Sequence, residues 1–289
     1  MSYQSLYRRY RPRRFSDVRG QEQVVRALRN AVRDDRVGHA YLFSGPRGTG
    51  KTSTARILAK ALNCEDLRDG EPCGVCASCV AMQDGTSYDL QELDAASNNK
   101  VEDVRSLIER VALGSPGRTK VYILDEVHML SPGASNALLK TLEEPPDHVV
   151  FVLATTDPQK VLPTIRSRTQ HFEFHLLPAD ELAEHVRYVV ADAGLAVDDA
   201  AVEHVLRAGG GSARDTLSAL EQASAGGVGA GGEHAEALAD AVVAADVAAA
   251  LTAVAEATNA GRDPRTLGEA LLSHLRDVFL IRMGGPVGH

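Results

Sequence analysis

The sequence lacks any run of about eighteen apolar residues, the length that a membrane-spanning helix needs. Its first fourteen residues are polar and rich in arginine, without the apolar segment of a secretory signal peptide. Cysteine is absent outside residues 64–79. The remaining composition, 44% hydrophobic and 24% charged over 289 residues, is ordinary for a globular protein. We therefore expect a cytoplasmic protein that does not enter a membrane.

The sequence also lacks an excess of positive charge, with a formal net charge of −8. The acidic excess is confined to the last hundred residues. Residues 1–189 contain 25 basic and 25 acidic side chains, whereas residues 190–289 contain 6 and 14. The neutral part includes a basic cluster formed by Arg8, Arg9, Arg11, Arg13 and Arg14. This distribution permits phosphate binding without demonstrating it.

Apolar runs alternate with helical patterns over the first 175 residues, which predicts an α/β fold with a parallel sheet covered by helices on both faces. The predicted strands are Ala40–Ser44, Asp89–Leu93, Lys120–Leu124, Val149–Thr155 and Phe172–Phe174. The predicted helices between them include Thr52–Leu62, Val101–Val111 and Ser135–Leu142.

Only helical patterns follow residue 178. We expect a small helical lid domain over residues 178–224 and a glycine-rich linker at Ala225–Gly232, where regular structure is disfavoured. The remainder is rich in alanine and ends after an amphipathic helix, Leu267–Arg282. Two interpretations stay open for it: a small third domain, or the first part of a larger domain within which the chain has been cut.

A phosphate-binding loop follows the first predicted strand. The loop residues fit G-x-x-x-x-G-K-[ST] at every fixed position and open a helix that continues with Ser53; they are Gly45, Pro46, Arg47, Gly48, Thr49, Gly50, Lys51 and Thr52. Backbone N–H groups and the helix dipole favour bound phosphate. Lys51 would neutralise the β- and γ-phosphates and Thr52 would ligate Mg²⁺. The pattern predicts binding of a nucleoside triphosphate, ATP.

Two carboxylates, Asp125 and Glu126, end a buried-strand pattern. Asp125 would hold Mg²⁺ through water and Glu126 would polarise the attacking water, so the pattern predicts hydrolysis. A hydroxyl at the end of the following strand, on Thr155 or Thr156, could sense the γ-phosphate or align the water; a polar strand cap is the alternative. His128 completes an Asp-Glu-Val-His string, and we expect a structural role for it.

All four cysteines lie within sixteen residues, at Cys64, Cys73, Cys76 and Cys79. In a cytosolic protein, where disulfides are rare, the spacing C-x8-C-x2-C-x2-C suits a tetrahedral structural Zn²⁺. The segment has little apolar character, so a metal would supply the order that a core cannot. An iron–sulfur cluster and free thiols are the alternatives.

The sequence resembles the gamma/tau family of bacterial DNA polymerase III clamp-loader subunits from Tyr3 to about Gln222. The segments that carry the resemblance are the N-terminal box with Tyr7–Pro12, Phe15, Val18, Gly20 and Gln21, the cysteine insert, Asp94–Asn99, Asp125–Leu130, Asn136–Pro146 and Ala154–Lys160. The likeness is weak beyond residue 225.

The resemblance implies a P-loop AAA+ domain over residues 1–177 with a zinc-binding insert at 64–79, then the lid, then over 225–289 a linker and the start of a helical oligomerisation (collar) domain. It also implies site residues. Thr155 becomes sensor 1 and Arg214, in Gly211–Asp215, becomes sensor 2. Tyr7, Arg11, Pro12 and Val18 would border the adenine and ribose.

Arg168 aligns with the family's Ser-Arg-Cys motif, here Ser167-Arg168-Thr169. The resemblance implies that this arginine acts in trans, in the ATP site of a neighbouring subunit. Its position in a polar turn predicts that it has no partner within its own chain. Arg166 is the competing candidate.

The function implied is that of an ATPase, the motor subunit of a clamp loader, which would use ATP, Mg²⁺ and structural Zn²⁺ and lack a polymerase site of its own. Its partners would be other clamp-loader subunits in a hetero-oligomeric ring, a sliding clamp and primer–template DNA. Lys100 and Arg105 would face that DNA, with a solvated helix face as the alternative. A branch-migration helicase is the alternative function; such motors lack the cysteine insert. A scaffold that does not hydrolyse ATP is the third.

Overall fold

The computed structural model describes residues 4–111, 119–227, 231–260 and 263–283. Five parallel strands form one sheet in the order β2-β3-β4-β1-β5. The strands are β1 Ala40–Ser44, β2 Leu90–Asp94, β3 Lys120–Asp125, β4 Val149–Thr155 and β5 Gln170–Glu173. The predicted α/β class with a parallel sheet is confirmed.

The helices of the first 175 residues lie before and between these strands. They are α1 Leu6–Arg9, α2 Glu22–Arg33, α3 Lys51–Leu62, α4 Ala77–Asp84, α5 Val101–Val111, α6 Pro132–Glu143 and α7 Pro163–Arg166. Later helices are α8 Ala179–Ala193, α9 Asp199–Gly209, α10 Ala213–Gln222, α11 Gly231–Val243, α12 Val247–Asn259 and α13 Pro264–Arg282. None of the helices among the described residues has the length and apolar character to cross a membrane.

Both faces of the sheet are covered, because successive strand residues point to opposite sides. Leu42, Tyr122 and Phe151 contribute to a core shared with α5 and α6. Tyr41 and Val152, which alternate with them, contribute to a second core shared with α2 and α3. The near-continuous apolar strands are therefore explained by burial on two sides.

The edge strand β5 begins two residues before its predicted start. Gln170 and His171 are exposed, so they carry no apolar pattern, yet they pair in parallel with β1. Phe174 is fully buried, and its N–H donates to the Ser44 carbonyl at 2.7 Å beyond the end of the strand. Apolar periodicity finds the buried phenylalanine but not the polar residues of an edge strand.

Helices α8, α9 and α10 pack around a separate small core that also includes Leu6 of α1. Helices α11, α12 and α13 share another, built largely from alanine and leucine. The expectation that regular structure is disfavoured over Ala225–Gly232 is wrong at both ends of that segment, while its role as a linker stays a prediction. A π-helical turn spans Ala223–Gly227 and α11 begins at Gly231, while residues 228–230 lie outside the described residues. Within the described residues on either side, Gly226, Gly227, Gly231 and Gly232 thus lie in helical structure.

We predict that Gly209→Ala destabilises the α8–α10 unit by about 1–3 kcal/mol through overpacking. Helices α9 and α10 cross so closely that a Cβ on Gly209 would lie 1.8 Å from Thr216 Oγ1 and 2.7 Å from its Cα. Denaturant unfolding measures the effect. Gly268→Ala is the matched control, since a Cβ there meets nothing within 4 Å and alanine favours a helix. Equal stability of the two variants would contradict the close crossing.

Candidate nucleotide site and cysteine cluster

The phosphate-binding loop leaves the carboxyl end of β1, which lies between β4 and β5. Gly45 has a φ of +135° and its N–H donates to the Thr155 carbonyl at 3.2 Å. A Cβ on Gly45 would lie 2.1 Å from the Phe174 carbonyl oxygen. Only glycine combines this backbone angle with this close approach.

The far side of the loop contacts the first turn of α10. Gly48 has a φ of +76°, and a Cβ there would lie 2.1 Å from Ser212 Oγ. Ser212 caps α10, because its hydroxyl accepts the Asp215 N–H. The lid helix that carries Arg214 is thus held directly against the loop.

Lys51 begins α3 and its side chain is buried. Its Nζ donates to the carbonyl oxygens of Gly45 and Pro46, both at 2.7 Å. Burial lowers the pKa of Lys51, while Glu126 and Asp125 act to raise it. The ammonium group therefore lies inside the loop, with two carboxylates nearby.

Thr52 and Asp125 are brought together across the sheet. The Thr52 hydroxyl donates to Asp125 Oδ2 at 2.8 Å. A hydroxyl beside a carboxylate at the end of a phosphate-binding loop is a donor set that suits Mg²⁺. The two residues named for that ion from the sequence therefore fit it.

Glu126 adopts the left-handed region, with a φ of +50°. Its Oε2 accepts hydrogen bonds from the Thr156 N–H at 3.2 Å and the Thr156 hydroxyl at 2.9 Å. The carboxylate is therefore held at the end of β4, beside the loop. The sequence did not predict this partner.

Thr155 is fully buried at the end of β4. Its hydroxyl lies 2.8 Å from His128 Nδ1 and accepts the Asp157 N–H at 3.0 Å. His128 Nδ1 also lies 3.4 Å from Glu126 Oε2. These contacts agree with the structural role expected for His128, which links Thr155 to Glu126.

The N-terminal segment brings two more of the named residues to this region. Arg11 Nε donates to Ser53 Oγ at 2.8 Å, and burial lowers the pKa of Arg11 to about 10. The guanidinium carbon of Arg214 lies 5.1 Å from the Tyr7 ring centroid, within the range of a cation–π contact. Tyr7, Arg11 and Arg214 thus converge on the loop and α3.

The remaining residues named for the loop and the base pocket make fewer contacts with the rest of the site. Thr49 is buried and its hydroxyl donates to the Pro46 carbonyl at 2.9 Å, whereas Pro46 itself and Arg47 are exposed. Val18 packs against the core beneath α2 and α3, and Pro12 is half-buried. A position of these last two beside a base stays a prediction.

The expectation that Arg168 has no partner in its own chain is wrong. Arg168 Nη2 lies 2.6 Å from Glu143 Oε1 at the end of α6, and its Nη1 donates to the Thr164 carbonyl at 2.9 Å. Glu143 is distant in sequence and belongs to no charge pattern that includes Arg168. The action of Arg168 on a neighbouring subunit stays a prediction.

Lys100 and Arg105 are both exposed at the start of α5. The Lys100 N–H donates to Asp103 Oδ2 at 3.2 Å, which caps the helix. Neither side chain contacts the residues of the phosphate-binding loop in the described structure, and DNA binding there stays a prediction.

The four cysteines converge as their spacing predicts. The sulfur atoms of Cys64, Cys73, Cys76 and Cys79 all lie within 4.8 Å of one another. Four sulfurs at about 2.3 Å from a tetrahedral Zn²⁺ would lie roughly 3.8 Å apart, so the set fits a four-thiolate metal site after small adjustments.

Backbone groups around the cluster favour thiolates. The Val75 and Cys76 N–H groups donate to Cys73 Sγ at 3.4 and 3.3 Å, and they lower the pKa of that thiol to about 6. The Cys73 N–H donates to Cys64 Sγ at 3.2 Å. Burial raises the pKa of both Cys64 and Cys79, so in the absence of a cation these two positions oppose a negative charge. A cation offsets that cost.

Two family models match consecutive parts of the chain. The model described as DNA polymerase III, delta subunit matches residues 20–178. The model of the ATPase lid domain of the DNA polymerase III clamp loader subunit matches residues 181–229.

Several curated relatives are similar over most of the chain. DNA polymerase III subunit gamma/tau of Mycobacterium tuberculosis H37Rv is 46% identical over 96% of this chain and 51% of the relative. Subunit tau of Bacillus subtilis is 44% identical over 98% and 53%. Subunit tau of Escherichia coli is 51% identical over 79% and 36%. The chain thus spans about half the length, or less, of these relatives.

Among solved structures, the Thermotoga maritima RuvB Holliday junction branch migration motor is similar with a TM-score of 0.54 and 18% identity, over 96% of this chain and 86% of that one. A second RuvB structure from the same organism, a variant with a single substitution, gives a TM-score of 0.54 at 17% identity over the same shares. At this identity the likeness concerns the fold alone.

Proposed function

Because the chain belongs to the family of DNA polymerase III clamp-loader subunits, we propose that it is an ATP-driven motor that loads a sliding clamp onto primed DNA in chromosome replication. The observation that carries the proposal is the convergence of Lys51, Thr52, Asp125 and Glu126 at one edge of the sheet. Its partners are other loader subunits, the clamp and primer–template DNA, and it acts in the cytoplasm.

The domain division follows from this proposal. Residues 1–177 form the AAA+ domain with its insert at 64–79, and residues 178–224 form the lid. The chain from 225 to 289 belongs to a helical collar that holds subunits together. The exposed apolar side chains of the last two helices, such as Leu251, Leu272 and Phe279, support a role in assembly.

Each residue of the site has a task in ATP hydrolysis. Lys51 offsets charge on the β- and γ-phosphates, and Arg214 contacts the γ-phosphate from the lid. Thr52 and Asp125 hold Mg²⁺, which neutralises phosphate charge when bound. Glu126 orients the attacking water and accepts its proton, with Thr155 aligning the same water. Thr156 occupies Glu126 Oε2, so turnover requires that hydrogen bond to yield.

The contact between Lys100, Arg105 and primed DNA is part of this proposal. Their exposure at the start of α5 supports it, and the helix N-terminus favours a phosphate. A branch-migration motor on the same fold remains the alternative function. The four-cysteine insert and the gamma/tau relatives favour the clamp loader.

We predict that Lys51→Ala and Glu126→Gln fail in different ways. Loss of the Lys51 charge should weaken ATP binding by about 2 kcal/mol, roughly 30-fold. Glu126→Gln should retain ATP binding and lower kcat by about 10²–10⁴. ATP affinity and ATPase rate are measured with partner subunits, with and without clamp and primed DNA. An equal loss of ATP binding in both variants would contradict these roles. A wild-type ATPase rate that clamp and primed DNA do not change would contradict the clamp-loader assignment.

We predict that Arg168→Ala lowers the rate of ATP hydrolysis at the neighbouring subunit's site by about 10³–10⁵. This is the rate enhancement that an arginine finger supplied in trans gives other nucleotide hydrolases. The test assembles Arg168→Ala and Lys51→Ala subunits in a ring of defined order. The intact ATP site next to the Arg168→Ala subunit, which lacks the arginine that this subunit would supply, should stop hydrolysing ATP. The Arg168→Ala subunit should still bind ATP in its own pocket. Arg166→Ala is the control. A defect confined to the mutated subunit's own pocket means that the arginine acts in cis.

We predict about one Zn²⁺ per chain in protein purified under reducing conditions, because four thiolates complete a tetrahedral site. Elemental analysis provides the measurement, and Cys76→Ser should lower the zinc content. The finding of iron, or of no metal in freshly prepared reduced protein, excludes the zinc assignment.

A further inference from the structure

The cysteine segment is attached to the N-terminal segment of the chain. We define the cysteine loop as residues 64–79 and the arm as residues 5–18. The contact is made by Glu71, which lies between the first two cysteines. Glu71 Oε2 accepts the Phe15 N–H and Oε1 accepts the Ser16 N–H, both at 2.9 Å. Both oxygens of one carboxylate therefore hold consecutive backbone groups of the arm.

A third hydrogen bond joins the arm to a cysteine of the cluster itself. Arg14 Nη2 donates to the Cys73 carbonyl oxygen at 2.7 Å. Phe15, which follows Arg14, is fully buried in the core beneath α2 and α3. The arm is thus fixed at this point by the core on one side and by the cysteine loop on the other.

Helix α2 supports the cysteine loop from below. Arg29 Nε donates to the Asp69 carbonyl at 2.8 Å, and Arg29 Nη1 lies 3.8 Å from Glu71 Oε1. Gly70 has a φ of +76°, and a Cβ there would lie 2.4 Å from the Arg29 carbonyl oxygen. These contacts fix the loop on α2, and they thereby place Glu71 next to the arm.

The position of Glu71 depends on how the loop is closed. A tight turn pairs Arg68 with Glu71 through two backbone hydrogen bonds of 3.0 and 2.9 Å. Residues 65–69 around this turn are exposed. The ends of the turn lead to Cys64 and Cys73, whose sulfurs belong to the cluster. The four cysteines would hold a metal there, and such a site would close the loop around Glu71 and restrict its motion.

The other part of the arm reaches the nucleotide site. Arg11, four residues before Phe15, donates to Ser53 in the first turn of α3. Tyr7 lies against Arg214. Since α3 ends at Leu62, the cysteine loop also begins directly after the helix that the phosphate-binding loop opens. The arm thus spans from the cysteine loop to the phosphate-binding helix and the lid.

We propose that Glu71 is a positioning residue that couples metal occupation of the cysteine cluster to nucleotide binding. With metal bound, the loop holds Glu71 against Phe15 and Ser16, and the anchored arm holds Arg11 and Tyr7 at the nucleotide site. Without metal, only the contacts with α2 hold the loop, so Glu71 is less restrained and the arm supports the pocket less firmly. The proposal rests on the proposed function only in that the phosphate-binding loop binds a nucleotide.

The experiment compares Glu71→Gln with Asp66→Asn in otherwise wild-type protein. Glutamine keeps the size of the side chain but turns an N–H₂ group toward one of the two backbone N–H donors. Asp66 lies in the same exposed loop and pairs with Arg68. Three quantities are measured: zinc content, amide hydrogen exchange at Phe15 and Ser16, and affinity for a fluorescent ATP analogue.

Glu71→Gln should keep its zinc and exchange the amide hydrogens of Phe15 and Ser16 faster. Its affinity for the analogue should fall by at least roughly fivefold, the usual scale of coupling between two sites. Asp66→Asn should match wild type in all three. Loss of zinc from Glu71→Gln, or unchanged affinity despite faster exchange, overturns the proposal.

Removal of the zinc with a chelator, followed by restoration of Mg²⁺, completes the test as a double cycle. Chelation should weaken nucleotide binding by wild type about as much as Glu71→Gln does, and should add little in the variant. An equal further loss in both proteins means that metal and Glu71 act independently, which overturns the coupling. Circular dichroism before and after chelation identifies general unfolding, and a loss of affinity explained by unfolding also counts against it.

The outcomes separate this inference from the proposed function. If metal-loaded wild type does not bind the analogue, both are wrong. If it binds equally well with and without metal, only the coupling is wrong. Failure to load a clamp, with coupled binding intact, contradicts the proposed function alone.

Discussion

The site depends on the parallel register of the three central strands. Ser44 of β1 lies opposite Thr155 of β4, and Leu124 of β3 lies opposite Leu153. Because all three run in one direction, the segments that follow them emerge at the same edge of the sheet. The phosphate-binding loop, the Asp125–Glu126 pair and the Thr155–Thr156 pair are those segments. A slip in either register would separate Lys51 and Thr52 from the carboxylates, so the buried apolar strands are what hold the charged groups in place.

Structure outside the sheet closes the site from two other sides. The lid contributes the close approach of Ser212 to Gly48 and brings Arg214 to Tyr7, while the arm brings Arg11 to Ser53. A nucleotide in the loop would therefore touch three parts of the chain at once. Its binding energy can shift the lid relative to the sheet only through differential contacts of this kind.

Charged side chains at the site are held by modest interactions that a ligand can replace. The Arg168–Glu143 pair is partly exposed on both sides, and exposed ion pairs contribute only about 0–1 kcal/mol. A phosphate group can therefore compete with Glu143 for Arg168 at small cost. The hydrogen bonds from Thr156 to Glu126 are similar in kind, since a bound water can take their place. Lys51 differs: it is buried, and its two short hydrogen bonds to loop carbonyl oxygens hold it inside the loop.

Local patterns in the sequence determined the α/β class, the phosphate-binding loop, the Asp125–Glu126 pair and the four-cysteine cluster, because each is encoded in adjacent or evenly spaced residues. The start of β5 and the helical glycines near Ala225–Gly227 escaped those patterns, since an edge strand is polar and helical hydrogen bonding can continue through glycine. Only the tertiary structure decided the partners of the charged groups. Glu143 meets Arg168, Thr156 meets Glu126 and Glu71 meets Phe15 across long separations in sequence. Folding of the chain creates such contacts, and no periodic pattern in the sequence predicts them.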